Sequence, residues 1–125
     1  MRIGELVGVE VFCVGPAARL RRAAHVMKEY GIGSVAVEVD GGLKGILTER
    51  DILNAVASFA DLDRDSVSKW MTDDPDSFGP EMGVEEAANW MLAKGYRHLP
   101  VIDGLHVLGV ISINDILWEP QSLRP

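Results

Sequence analysis

Gly45-Ile46-Leu47-Thr48-Glu49-Arg50-Asp51-Ile52-Leu53 returns 64 residues later as Gly109-Val110-Ile111-Ser112-Ile113-Asn114-Asp115-Ile116-Leu117. Outward from there, residues 22–53 and 86–117 align without a gap at the same offset. Ala23/Ala87, Ala24/Ala88, Met27/Met91, Gly31/Gly95 and Val37/Val101 are further identities. A period of 64 is too long for a solenoid unit and short for an independent domain. It predicts two repeats, 1–62 and 63–125, packed into one globule about a pseudo-twofold axis. A crevice between two related halves is a natural place for a ligand.

Each repeat reads helix, strand, strand, helix. Leu20, Ala23, Ala24 and Met27 recur at helical spacing, and Val84, Ala87, Ala88 and Met91 repeat the stripe. Gly31 and Gly95 stand where a C-terminal cap belongs. β-rich runs follow at Ser34–Val39 and His98–Ile102, then Asp40-Gly41-Gly42 and Asp103-Gly104 as hairpin turns. The return strands are Lys44–Leu47 and Val107–Ile111. These runs are apolar on both alternations, which predicts burial on both faces. The closing helices start near Thr48, running to about Phe59, and near Ser112, cut short by Pro120. Short strands are expected at Val9–Val14 and Asp76–Phe78. Val67–Met71 reads as a helical turn and Thr72-Asp73-Asp74-Pro75 as a loop.

The bulk composition narrows the function classes. The chain has 125 residues, 47% of them hydrophobic, and a net charge of −7. An acidic chain of this size repels polyanions, which argues against nucleic-acid binding but not against a small nucleotide. No apolar run is long enough to span a membrane, and Met1-Arg2-Ile3-Gly4-Glu5 lacks a signal-peptide core. The expected location is the cytoplasm. Cys13 is the sole cysteine, so no internal disulfide forms. His25, His98 and His106 lack metal-ligand spacing, and Asp73, Asp74 and Asp76 on a proline-bearing loop read as solvated. No metal site is expected. No nucleophile has an identifiable base and no phosphate loop is present, so no catalytic residue is assigned.

The repeated strand-to-helix corner is the sharpest chemical signal. A hydroxyl residue is followed three positions later by an aspartate, as Thr48/Asp51 and Ser112/Asp115. One reading is a capping box, in which the acid bonds back to the cap amide. The other is a carboxylate facing the crevice, accepting bonds from the adjacent hydroxyls of a ribose. Such charge-assisted bonds contribute about 1.5–3 kcal/mol each.

With helix, G-x-x-x-h-x-V strand, D-G turn and G-h-h-[ST]-x-x-D-I-L in place twice, the chain resembles a tandem pair of CBS domains. That module is named after cystathionine β-synthase. Val67–Pro75 is similar to the segment that leads into a repeat of this family, and Ile3–Val7 is a weaker copy. The resemblance implies an α/β fold in which two repeats pack through their sheets, commonly as a disc-shaped dimer. It implies an adenosine-containing ligand: AMP, ADP, ATP or S-adenosylmethionine. Thr48, Asp51, Ser112 and Asp115 would then hold ribose. Adenine would be read by the strand openings Ile32–Ala36 or Tyr96–Pro100, with Ile32, Ser34, Val35, Ala36, Tyr96 and Pro100 in contact. Val11, Val14, Val35, Ile46 and Val110 would form apolar walls. Tyr96-Arg97-His98-Leu99-Pro100 resembles the basic pair that contacts phosphates in the regulatory subunit of AMP-activated protein kinase. Arg97 and His98 are therefore expected on phosphate, with Arg50 beside them at its helix start. Repeat one has Gly33-Ser34 at the matching positions, so the basic pair is not doubled.

The expected function is a non-enzymatic regulatory module. It binds an adenine nucleotide between its repeats, forms a homodimer, and signals in trans to an effector protein that the sequence does not identify. No cofactor is expected beyond that regulatory ligand. The alternatives are a ligand-free interaction scaffold, an S-adenosylmethionine-binding module and, more weakly, a small nucleotide-hydrolysing enzyme. Trp70, Trp90 and Trp118 read either as core or as a dimer seam.

Overall fold

The stripe read from Leu20 to Met27 becomes the buried face of a helix in the computed structural model, which describes residues 1–8 and 11–117. In chain order, repeat one contains β1 (Cys13–Val14), α1 (Leu20–Tyr30), β2 (Ser34–Val39), β3 (Gly42–Thr48) and α2 (Glu49–Ala57). Next come α3 (Val67–Trp70), β4 (Thr72–Asp73), α4 (Val84–Lys94), β5 (His98–Asp103), β6 (His106–Ser112) and α5 (Ile113–Leu117). A 3-10 turn at Ile3–Glu5 precedes them all. Gly31 and Gly95 end α1 and α4 in the left-handed conformation, at φ 65° and 75°. Their N–H groups donate to Met27 O and Met91 O, as expected of glycine C-caps.

One sheet has the order β1-β2-β3-β4, with β1 parallel to β2 and the other pairs antiparallel. The second is the antiparallel hairpin β5-β6. A lone parallel bridge between Phe78 and Val101 repeats the Val14–Val37 pairing of the first sheet. The sheets meet where β2 and β3 contact β6. This is the mixed α/β architecture, with two repeats packed through their sheets, that the resemblance to tandem CBS domains implies.

Local details differ from the sequence reading. Of the strand expected at Val9–Val14, only Cys13–Val14 pairs, and Val9 lies outside the described residues. Asp76–Phe78 contributes one bridge rather than a strand. Thr72 and Asp73, read as loop, form β4 against Ile46 and Gly45. The bend falls one residue later, at Asp74 (φ 49°) just before Pro75, and the proline's restriction does not reach Thr72 and Asp73, which pair. Cys13 is half-buried. Burial first, then its hydrogen bond to Glu38, push the thiol up to about 12, which keeps it protonated and unreactive. Trp70 and Trp90 pack on the cores of repeats one and two, whereas Trp118 and Pro120 lie outside the described residues. Trp70 Nε1 donates to Asp65 Oδ2 at 2.9 Å. Trp90 stands edge-on to Phe78, with centroids 5.0 Å apart.

The two lead-in segments exchange places. Ile3 is fully buried in the core of repeat two, beside Val84, Ala87 and Met91. Val67, 64 positions later, is fully buried in the core of repeat one, beside Leu20 and Ala23. Backbone bonds follow the same rule. Ile3 N donates to Met82 O and Gly4 N to Pro80 O, while Val67 N donates to Ala18 O and Ser68 N to Pro16 O. Each strap then crosses a glycine of the repeat it enters. A Cβ on Gly45 would lie 2.5 Å from Met71 Sδ and 2.8 Å from Thr72 O. One on Gly109 would lie 2.7 Å from Val7 Cγ1. The repeated glycine that opens the corner motif thus makes room for a strap.

Ile3→Ala should therefore destabilise the protein by about 2–5 kcal/mol in urea unfolding, although Ile3 sits in a three-residue turn at the chain start. Gly45→Ala and Gly109→Ala should both destabilise the protein in the same assay. The first meets a backbone carbonyl at 2.8 Å, and the second meets a Val7 methyl at 2.7 Å and carries φ 158°, which an L side chain rarely adopts.

Candidate functional site

Alternation along the central strands sorts side chains between core and crevice. Val35, Val37 and Leu47 point into the core of repeat one, and Leu99, Val101 and Ile111 into that of repeat two. The opposite faces carry Ser34, Ala36 and Ile46, and His98, Pro100 and Val110. Ala36 pairs with Ile46 and Pro100 with Val110 in the two hairpins. These faces look toward each other, and the space left at either end of their contact forms two clefts.

Cleft A, of about 700 Å³, takes its strand opening from repeat one (Ile32, Gly33, Ser34) and its corner from repeat two (Val110, Ser112, Asp115). Cleft B, of about 590 Å³, reverses the arrangement, with Tyr96, Arg97 and His98 against Ile46, Thr48 and Asp51. Each volume falls within the range of about 300–1,000 Å³ typical of small-molecule pockets.

Both corners are closed capping boxes. Thr48 N donates to Asp51 Oδ2 at 2.8 Å, and Asp51 N to Thr48 Oγ1 at 3.3 Å. Ser112 N donates to Asp115 Oδ2 at 2.7 Å, and Asp115 N to Ser112 Oγ at 3.2 Å. Both acids nevertheless line a cleft between the repeats. In each, Oδ2 alone makes these bonds, and among the described residues Oδ1 accepts none. Capping and ligand contact, alternatives on sequence, are therefore compatible in space.

Three side chains line both clefts: Glu49, Arg97 and His98. Glu49 is held at the start of α2 by its N–H bond to Gly33 O (2.9 Å), and Ile113 N makes the equivalent bond to Arg97 O (2.8 Å). A Cβ on Gly33 would lie 3.1 Å from His98 Nε2 and 3.2 Å from Glu49 Oε1, so both side chains close over the bare glycine. Burial pushes His98 below its ordinary imidazole value. Glu49, Asp115 and Asp51 pull the other way, and Arg97 reinforces the depression.

Most expected contact residues reach a cleft. Ile32, Ser34, Val110, Ser112 and Asp115 line A; Ile46, Thr48, Arg50, Asp51, Tyr96 and Pro100 line B. Four do not. Val14 and Val35 are core side chains beneath α1, because their strand positions face the helix. Ala36 is fully buried where the sheets meet, and Val11 is 38% exposed on neither cleft. The sequence reading missed Phe12, Lys28 and Glu49, and it left Asp76 to solvent. Phe12 lines A and Asp76 lines B, 64 positions apart, so the repeat offset itself could have paired them. Lys28 and Glu49 have Leu92 and Ile113 as counterparts, and no repeat signal marks them. Arg50 takes part in none of the ion pairs among the described residues. Among those residues no cluster of three or more His, Cys, Asp or Glu is placed to hold a metal ion, and no helix is long and apolar enough to cross a membrane.

Comparison with known proteins agrees with this architecture. The CBS domain family profile matches residues 3–58 and again 67–121. The chain belongs to the CBS domain family, as a tandem pair. An uncharacterised 17.7 kDa protein of Acidianus ambivalens is 37% identical, over 92% of this chain and 70% of its own length. A CBS-domain-containing protein of Agrobacterium tumefaciens superposes with a TM-score of 0.84 at 31% identity, covering 94% of this chain and 97% of that one. A CBS domain protein of Pyrobaculum aerophilum, solved in complex with AMP, superposes with a TM-score of 0.86 at 27% identity. The match covers 96% of this chain and 93% of that one.

The burial of His98 has a consequence for stability. Its folded-state value lies below 6.5, so the unfolded chain takes up the proton first as pH falls. Above that value the group is neutral in both states and contributes nothing. Stability should fall as pH drops through 6.5 toward the folded value, and His98→Gln should flatten that part of the profile in urea titrations.

Proposed function

We propose that this protein is a regulatory module that binds an adenosine phosphate (AMP, ADP or ATP) in the clefts between its repeats and signals in trans to a partner protein. The observation that carries this reading is the make-up of each cleft. One repeat supplies a hydroxyl–aspartate corner with an unused carboxylate oxygen, and the other supplies a strand opening with accessible backbone. Arg97 and His98 stand beside both. That combination matches the three parts of a nucleotide: hydroxyls for the acid, a flat base for the strand backbone and apolar faces, phosphate for the cations. The AMP complex of the Pyrobaculum relative supports the ligand class. Leu53 (65% exposed), Val56 (51%) and Phe59 (96%), on and just beyond α2, offer apolar surface that supports a homodimer. A ligand would bias the arrangement of such an assembly only by the difference in its affinity for the two states.

A thermal-shift screen of AMP, ADP, ATP, GTP, NAD and S-adenosylmethionine tests the proposal. Adenosine phosphates should raise the melting temperature. At 100 times Kd the stabilisation is about 2.7 kcal/mol. Millimolar AMP, ADP and ATP without any shift would sink the reading, and a shift with S-adenosylmethionine alone would redirect it. Incubation with ATP and magnesium should give no turnover, because the sequence pairs no nucleophile with an identifiable general base.

A further inference from the structure

Gly33-Ser34 and Arg97-His98 occupy matching positions in the two repeats, yet they differ greatly in size. The small pair leaves space at the pseudo-twofold axis, and the large pair fills it. As a result Arg97 and His98 line both clefts, while Gly33 and Ser34 line only cleft A. Among the described residues each cleft has one cation of its own, Lys28 in A and Arg50 in B. The cations of the dividing wall are common property. Glu49 stands in the same wall.

We propose that Arg97 and His98 form a single anion-binding pair shared by the two clefts, so that an adenosine phosphate in one cleft weakens phosphate binding in the other. The inference rests on the nucleotide reading above and concerns its regulation. A phosphate in either cleft takes up the guanidinium. The opposite cleft then faces Glu49 and, behind the shared side chains, a bound phosphate. Like charges closer than the screening length of about 8 Å at physiological salt still repel. Lys28 or Arg50 still attracts a second phosphate, which binds more weakly rather than not at all. The coupling is reciprocal, whichever cleft fills first. Adenosine, which has no phosphate, escapes it. The first phosphorylated ligand therefore sets the response, and the protein reads occupancy over a wider concentration range than two independent sites would.

Isothermal titration of the full chain with AMP, and in parallel with adenosine, tests this. Asp51→Asn weakens cleft B and Asp115→Asn weakens cleft A, and asparagine can still accept the capping bond. Each variant reports the intrinsic AMP affinity of the cleft it spares. In the unsubstituted protein the second AMP should bind at least tenfold more weakly than in the variant where its cleft stands alone. Adenosine should show no such gap. Arg97→Gln should narrow the gap severalfold, leaving only the repulsion between the two phosphates, and Arg97→Lys should keep it; Arg97 is exposed, so neither should disturb the fold. Two AMP molecules bound with their single-cleft affinities would overturn the sharing. So would an equal gap with adenosine, or AMP confined to one cleft in every protein. All three leave the nucleotide reading standing. Absence of AMP binding throughout would remove that reading and the shared pair with it.

Discussion

Ile3 and Val67 are completely buried, each in the repeat that its neighbours in sequence do not form. Burying side chains of this size is worth about 1.5–3 kcal/mol apiece, and the backbone bonds along the straps add to it. Neither half completes its core from contiguous sequence. The halves must fold against each other, with their relative orientation set by two short straps. The clefts depend on that orientation, since each is bounded by both repeats. The straps also lead directly into cleft walls, the first toward Phe12 and the second toward Thr72 and Asp76.

Duplication supplies the frame, and substitution within it supplies the chemistry. The two hairpins keep the same register and the same irregularity, at Val37/Glu38 and Val101/Ile102. Around the axis, however, glycine faces arginine, serine faces histidine, and glutamate faces isoleucine across the 64-residue offset. The two clefts are consequently unequal in lining, with a polar wall between them. Burial pushes the half-buried His98 imidazole in that wall below its ordinary value.

The aspartate corners show how one side chain serves two levels of structure. The carboxylate spends one oxygen on the amide that starts the helix, which locks its rotamer. The second oxygen is thereby aimed without further cost in side-chain entropy. A solvated acid on a loop would lose that freedom only on meeting a ligand. The helix start and the cleft wall are the same few atoms, so the structural and ligand-binding readings do not compete.

Much of the fold was legible in the chain itself, because it rests on local signals written twice. Helical spacing at Leu20–Met27, glycine caps at Gly31 and Gly95, and Asp-Gly turns between apolar runs leave few alternatives for backbones of this length. The hydroxyl–aspartate pairs followed from the same repetition, and the resemblance to tandem CBS domains supplied most of the residues beside them. Val14 and Val35 were misplaced because an apolar strand that is buried on both faces carries no alternation to tell core from crevice. Only the tertiary structure decided which strand meets which corner, that the straps trade repeats, and that Arg97, His98 and Glu49 serve both clefts. Those relations join residues far apart in sequence, through side-chain volume and packing at the pseudo-twofold axis, and no local pattern encodes them.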